Sequence, residues 1–239
     1  MIEAGSETTS STLNSCLLYL CANPEVQKVA QEEIDVALQG RSPTFEDEGS
    51  LPYCRAIVKE ILRVRPVANI GSPRKSDEDV VYQDMFIPKG TNITLFQYAI
   101  HYDPKRWKDP EKFDPSRYLD YPLKAGEYAG IGDFTKRDHF SFGCGRRICP
   151  GMWLAENSLF ITISRILWAF DILPGLDEHG KEIKPNTEAY EPGLSLTSPK
   201  PFKARFVVRS EDKRNKIIEE WKQAQKTGYI ILGDKVRIA

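Results

Sequence analysis

The stretch Phe142-Gly143-Cys144-Gly145-Arg146-Arg147-Ile148-Cys149-Pro150-Gly151 constrains the fold more than any other part of the chain. It sets one cysteine, Cys149, in a loop of glycines and arginines, and a Leu/Ile-rich helix pattern follows at once. Gly145 and Gly151 accept positive φ at little cost, so the chain can turn tightly around the sulfur. Backbone N–H groups of such a loop, with the N-terminus of the next helix, favour a thiolate. Arg147, just ahead of the cysteine, could reach an anionic group on a ligand, and Phe142 is placed to pack on a ring face. A thiolate held this way suits axial ligation of a haem iron, with a haem propionate as the anion for Arg147. The plain alternative is a glycine-rich surface turn with an incidental cysteine.

The spacing of Phe142, Gly145, Arg147, Cys149 and Gly151 resembles the F-x-x-G-x-R-x-C-x-G haem loop of the cytochrome P-450 family. Lys59-Glu60-Ile61-Leu62-Arg63 puts Glu60 and Arg63 on one face of a predicted helix, within ion-pair reach. Alone it would read as an ordinary surface pair. Here it resembles the family's E-x-x-R motif, and Phe113-Asp114-Pro115-Ser116-Arg117-Tyr118 resembles the segment that brings a second arginine to it. The resemblance implies a buried structural network of Glu60, Arg63 and Arg117 behind the haem pocket. Removing one member would leave an uncompensated charge.

Ala4-Gly5-Ser6-Glu7-Thr8-Thr9 resembles the A-G-x-(D/E)-T-T run of the family's long distal helix, where a break in the helix makes room for dioxygen and a water. By that resemblance Gly5 opens the groove, and Glu7 and Thr8 deliver protons to the oxygen. Read as residues alone, the Ser/Thr run is a capping or solvated segment. Arg74 resembles the basic residue that binds a haem propionate. Val67, Ala68 and Asn69, with Leu194 and Ser195 at a second loop, occupy positions that line the family's substrate pocket. They are small and mostly apolar, which suits an uncharged, hydrophobic substrate, and plain core packing explains them as well. Asn69 is the polar residue available to orient a substrate group.

A net charge of −1 gives no electrostatic case for nucleic acid or an acidic membrane surface. The 5 cysteines are irregularly spaced, so they read as reduced thiols in a cytosolic setting and not as a disulfide framework. Cys144 and Cys149 are not in CxxC register, and a zinc module is not expected. No run approaches the roughly 18 apolar residues of a membrane span, and no signal-peptide pattern appears.

Pattern reading gives helices over residues 1–22, 25–38 and 51–63, with Asn23-Pro24 as a break. Short strands are expected at 80–82, 85–87 and 92–96, forming one small sheet beside the haem. A short helix at 98–102 precedes an irregular meander over 103–141, packed by Trp107, Phe113 and Tyr118. A buried helix carrying Leu154, Leu159, Phe160, Ile163, Ile166 and Leu167 spans 152–170. Segments 192–197 and 202–208 are expected to close as a hairpin. The fold class is therefore mainly α with small β-sheets (α+β). Residues 1–208 resemble the C-terminal portion of the cytochrome P-450 fold, and 209–239 form a charged helix and tail.

The resemblance implies a haem-dependent monooxygenase that inserts one oxygen atom of dioxygen into an apolar organic molecule, with Cys149 as axial thiolate. Electrons would come from an NADPH-dependent flavoprotein reductase, since no flavin or nicotinamide motif is present. Lys136-Arg137 and Arg146 are the basic spots that could meet it. Alternatives are a haem-thiolate isomerase or peroxygenase, and a truncated, catalytically dead haem-binding fragment. The family's N-terminal half would carry the membrane anchor, holding a full-length relative on the cytoplasmic face of the endoplasmic reticulum. The meander and apolar pocket positions are similar to those of fungal members in secondary metabolism.

Overall fold

The computed structural model describes residues 2–191, 196–227, 229–232 and 235–238. Helix α1 (Ile2–Ala22) ends where Asn23 precedes Pro24, a position that disfavours helical backbone. The Asn23 side chain donates to the Tyr19 carbonyl at 2.7 Å, and Pro24 opens α2 (Pro24–Leu38) at its first turn. Helix α2 buries Val26, Gln27, Ala30, Gln31, Ile34 and Leu38, the stripe expected of a helix half-sunk in a core. It stops at Gln39 and Gly40, both left-handed.

Helix α3 (Pro52–Val64) is the centre of the fold. Every residue from Ala56 to Val64 is buried, including Lys59, Glu60 and Arg63. Its first turn is capped from α2, because the Glu33 carboxylate accepts from the amides of Tyr53 at 2.7 Å and Cys54 at 3.0 Å. Strands β1 (Arg74–Lys75), β2 (Val80–Tyr82), β3 (Met85–Ile87) and β4 (Asn92–Ile93) follow. They form two separate antiparallel pairs, β1 with β4 and β2 with β3, not the single sheet expected from the sequence. Two-residue strands at 74–75 leave no periodicity to read, so β1 was not anticipated.

Helix α4 (Gln97–His101) leads into a meander held by buried Trp107, Phe113 and Tyr118 and containing α5 (Ala125–Gly130). After the cysteine loop, α6 (Met152–Ala169) runs directly into β5 (Phe170–Pro174). Its core face is Glu156, Leu159, Phe160, Ile163 and Leu167. Leu154 is 72% exposed, against expectation, because it lies on the opposite face of the first turn. Of the expected hairpin of 192–197 with 202–208, residues 192–195 lie outside the described residues. Strand β6 (Ala204–Val208) pairs with β5, from Phe170↔Val208 to Pro174↔Ala204, a partner not anticipated from the sequence. The free edge of β5, left by α6 ending without a loop, is what β6 covers. Helix α7 (Glu211–Thr227) is tied to α2 through Lys213 and Asp35 at 2.7 Å, and β7 (Tyr229–Leu232) pairs with β8 (Lys235–Ile238).

The main core joins α1, α2, α3, α6 and β5. One polar residue stitches three of these together. Buried Gln27 donates to the carbonyls of Leu20 at 2.8 Å and Ile172 at 2.9 Å, and accepts from the Ile172 amide at 2.9 Å. Replacing Gln27 by Leu keeps the volume and strands the amide and carbonyl of Ile172, each costing about 1–3 kcal/mol when left unpaired, while the Leu20 carbonyl keeps the Asn23 amide at 3.2 Å. The urea midpoint of Gln27→Leu should fall markedly. A midpoint within error of the parent would refute this reading.

Candidate functional site

The cysteine loop makes its own bonds. Cys149 N–H donates to the Phe142 carbonyl at 2.9 Å, Gly143 N–H to Phe140 at 2.8 Å, and Ile148 N–H to Gly145 at 3.1 Å. The left-handed residues are Gly143 (φ +78°) and Gly145 (φ +68°). Gly151, expected to need positive φ, instead has φ −88° and serves as the N-cap of α6. Its Cβ position would lie 3.9 Å from Cys149 Sγ, an ordinary contact. Cys149 is half-buried and Cys144 exposed. Phe142 packs against the main core and meets the His139 ring at 5.5 Å. Arg147 and Arg74 are both exposed, and neither guanidinium has a hydrogen-bond or ion-pair partner among the described residues.

The structure brings Glu60, Arg63 and Arg117 together. Glu60 accepts from Arg63 Nε at 2.7 Å and Nη2 at 2.8 Å, a bidentate fork, and from Arg117 Nε at 3.1 Å and the Asp114 amide at 2.8 Å. Arg63 also donates to the carbonyls of His101, Pro110 and Lys112. Burial pushes the Glu60 carboxyl up, against the pull of both guanidiniums.

Glu7 is exposed and Thr8 half-buried on α1, which runs as one α-helix through Gly5–Thr9 without the expected break. In place of a break, the Thr8 hydroxyl donates to the Ala4 carbonyl at 2.8 Å, a side-chain bond of the kind that bends helices. Val67, Ala68 and Asn69 are half-buried after α3. Thr197 N–H donates to the Val67 carbonyl at 2.8 Å, and the hydroxyls of Ser198 and Ser11 meet at 2.5 Å. The Val67 segment, the 196–198 segment and α1 are thus neighbours. Leu194 and Ser195 lie outside the described residues. Of the basic spots, Lys136 and Arg146 are exposed. Arg137 is 4% exposed, its guanidinium set on the Phe140 ring at 4.7 Å, so it cannot meet a partner.

A second buried cluster was not read from the sequence. Lys59 Nζ lies 2.5 Å from Asp138 Oδ2 and 3.6 Å from Glu156 Oε1. His139 adjoins Asp138 at 3.8 Å. Asp138, His139 and Glu156 could ligate a metal by distance, but the Lys59 ammonium already supplies the cation. The readable signal was Glu156 on the same helical face as Leu159, Phe160 and Ile163, and Lys59 directly after Ile57 and Val58. Burial pushes His139 down to about 4, so the ring is neutral; its Nδ1 accepts from the Ser141 amide at 3.3 Å. His101, also lowered by burial, accepts the Phe140 amide on Nε2 at 2.8 Å.

One ammonium cannot neutralise two carboxylates, and Asp138 is the closer. Burial, reinforced by Asp138, raises Glu156 from 4.5 to about 7. The folded state therefore holds this proton more tightly than the unfolded chain. The stability it contributes is full below about pH 4.5 and lost as pH rises through about 7, up to about 3 kcal/mol in all. Glu156→Gln should gain stability relative to the parent between about pH 5 and about pH 8. Denaturant titrations of both proteins at each pH test this, and a pH-independent difference would contradict it.

Comparison with known proteins gives a consistent result. Residues 1–206 match the family model described as Cytochrome P450. Cytochrome P450 monooxygenase pgmC of Aspergillus terreus is 51% identical, over 100% of this chain and 45% of that protein. Cytochrome P450 monooxygenase verL of Clonostachys rogersoniana is 47% identical, over 95% of this chain and 42% of that protein. A zebra fish cytochrome P450 solved with progesterone superposes with a TM-score of 0.72 at 31% identity, covering 86% of this chain and 44% of the other. The chain spans about half the length of the curated relatives it matches.

Proposed function

The chain belongs to the cytochrome P450 family, and on that footing we propose that it forms part of a haem-thiolate monooxygenase acting on an apolar organic substrate. The cysteine loop carries this reading. Cys149 sits half-buried in a self-bonded turn, its Sγ without a hydrogen-bond partner among the described residues. A soft anionic donor of that kind fits a haem iron. Arg74 and Arg147, two exposed guanidiniums without a partner among the described residues, would hold the propionates, and Phe142, Gly145 and Gly151 would shape the loop that holds the group. Held by the Cys149 thiolate, a haem would supply the activation of dioxygen and the oxidising power for C–H hydroxylation.

The chain's own residues would do the rest. Thr8, whose hydroxyl already points back along α1, and Glu7, one residue before it, would pass protons in from solvent. Val67, Ala68 and Asn69, with Leu194 and Ser195, would line the substrate side and exclude water. One oxygen atom enters the substrate and the other leaves as water, with electrons from an NADPH-dependent flavoprotein reductase. Exposed Lys136 and Arg146 suit the acidic face of such a partner. The fungal relatives support a small-molecule substrate. Among the described residues no helix is long and apolar enough to cross a membrane. Attachment to the cytoplasmic face of the endoplasmic reticulum is the location proposed for the full-length protein.

Cys149→Ser should abolish the long-wavelength Soret band of the reduced, carbon-monoxide-bound protein, whereas Cys144→Ser should leave it intact. Equal effects of the two would refute the ligand assignment. Thr8→Ala, measured in the full-length protein with reductase, should keep oxygen consumption while product per NADPH falls severalfold and hydrogen peroxide rises. Unchanged coupling would remove Thr8 from the proton path.

A further inference from the structure

The cysteine loop is bonded to itself, and its glycines face open space: a Cβ at Gly143 or Gly145 would meet nothing within 4 Å. Where the sulfur sits is therefore decided by what holds the two flanks. The leading flank, residues 138–142, begins at Asp138. Its Oδ2 meets Lys59 Nζ at 2.5 Å, its Oδ1 accepts the His139 amide at 2.8 Å, and its carbonyl accepts from Tyr118 at 3.1 Å. The trailing flank is the first turns of α6. There Glu156 accepts the Ala125 amide on both oxygens, at 3.1 and 3.0 Å, and lies 3.6 Å from the same ammonium. Lys59 itself is 0% exposed, and its Nζ stands 5.2 Å from the Tyr128 ring centroid. Among the described residues no other side chain pairs with both flanks.

Burying a lysine with two carboxylates is an expensive way to fill space, since well-packed apolar side chains do that without desolvation. What the ammonium adds is a fixed distance between the segment entering the loop and the helix leaving it, referred to α3. Glu60, the next residue on α3, fixes the meander in the same way. We propose that Lys59 is a positioning residue for Cys149: by bracing both flanks of the loop, it fixes where the thiolate is presented. The proposal rests on the haem-thiolate reading for its functional meaning, while the brace is a property of the chain alone.

Lys59→Met alone would leave Asp138 as a buried, unpaired charge and could unfold the protein. The informative variant is therefore the neutral set Lys59→Met, Asp138→Asn, Glu156→Gln, made with Lys59→Arg beside it in a Cys144→Ser background. Two readouts are taken on the full chain. Without haem, the rate of Cys149 alkylation by iodoacetamide reports the loop; with haem, the reduced carbon-monoxide spectrum reports ligation. The neutral set is expected to melt within a few degrees of the parent, yet to alkylate roughly tenfold faster and to lose most of the thiolate band. Lys59→Arg should restore much of both. Parent-like alkylation and spectrum in the neutral set would overturn the proposal, as would changes that only track a collapse in melting temperature. If the parent shows no thiolate band and Cys149→Ser matches it, the haem reading fails, and the alkylation rates still decide the brace.

Discussion

Arg63 is the group on which the arrangement depends. It is fully buried on α3, and its donors go to Glu60 and to the carbonyls of His101, Pro110 and Lys112. A guanidinium is the side chain that can do this, because it is planar, permanently charged and presents a fixed fork of N–H groups. The irregular chain after α4 has few backbone ladders of its own, so its carbonyls need donors. Arg63 provides them from the helix side, and Arg117 does so from within the meander. His101 then passes the constraint onward: its carbonyl receives Arg63, and its ring receives the Phe140 amide at the approach to the cysteine loop. A lysine at 63 could match the charge but not the geometry.

Much of the fold was legible in the sequence, for a local reason. Helices α1, α2, α3 and α6 carry apolar stripes or runs with Pro or Gly at their ends, and those signals are complete within the segment. What was not legible depends on partners distant in the chain. The pairing of β6 with β5 needs knowledge that α6 leaves an uncovered strand edge. Leu154 reads as core because leucine usually is, and only the placement of α6 shows its face turned outward. Arg137 reads as surface because arginine usually is, and only the Phe140 ring shows otherwise.

The site was legible unevenly for the same reason. The residues around Cys149, and the Glu60–Arg63 pair, belong to spaced motifs that announce themselves. Which glycine turns left-handed does not follow from spacing: Gly143 takes the role expected of Gly151, because Gly151 is spent on starting α6. The cluster of Lys59, Asp138 and Glu156 draws on three segments and forms no motif. Its trace is a charged residue at a core-facing position of α3 and of α6, a pattern that reads as noise until the segments are placed together.

The distribution of buried charge carries a physical argument of its own. Lys59, Glu60 and Arg63 sit within two turns of one helix, and all are removed from water. For stability alone this is a poor use of a core position, since desolvation offsets most of the Coulombic gain. Its effect is on uniqueness. Apolar side chains tolerate small slides against one another, whereas a bidentate ion pair loses much of its energy within a fraction of an ångström. Concentrating such contacts on α3 makes that helix the common reference for the meander on one side and the cysteine loop on the other. In the proposed role of Cys149, a ligand thiolate would have to be presented at one height and angle, and a loop of glycines cannot set that by itself. The rigidity has to come from the flanks, and in this chain the flanks are tied to α3 by charge.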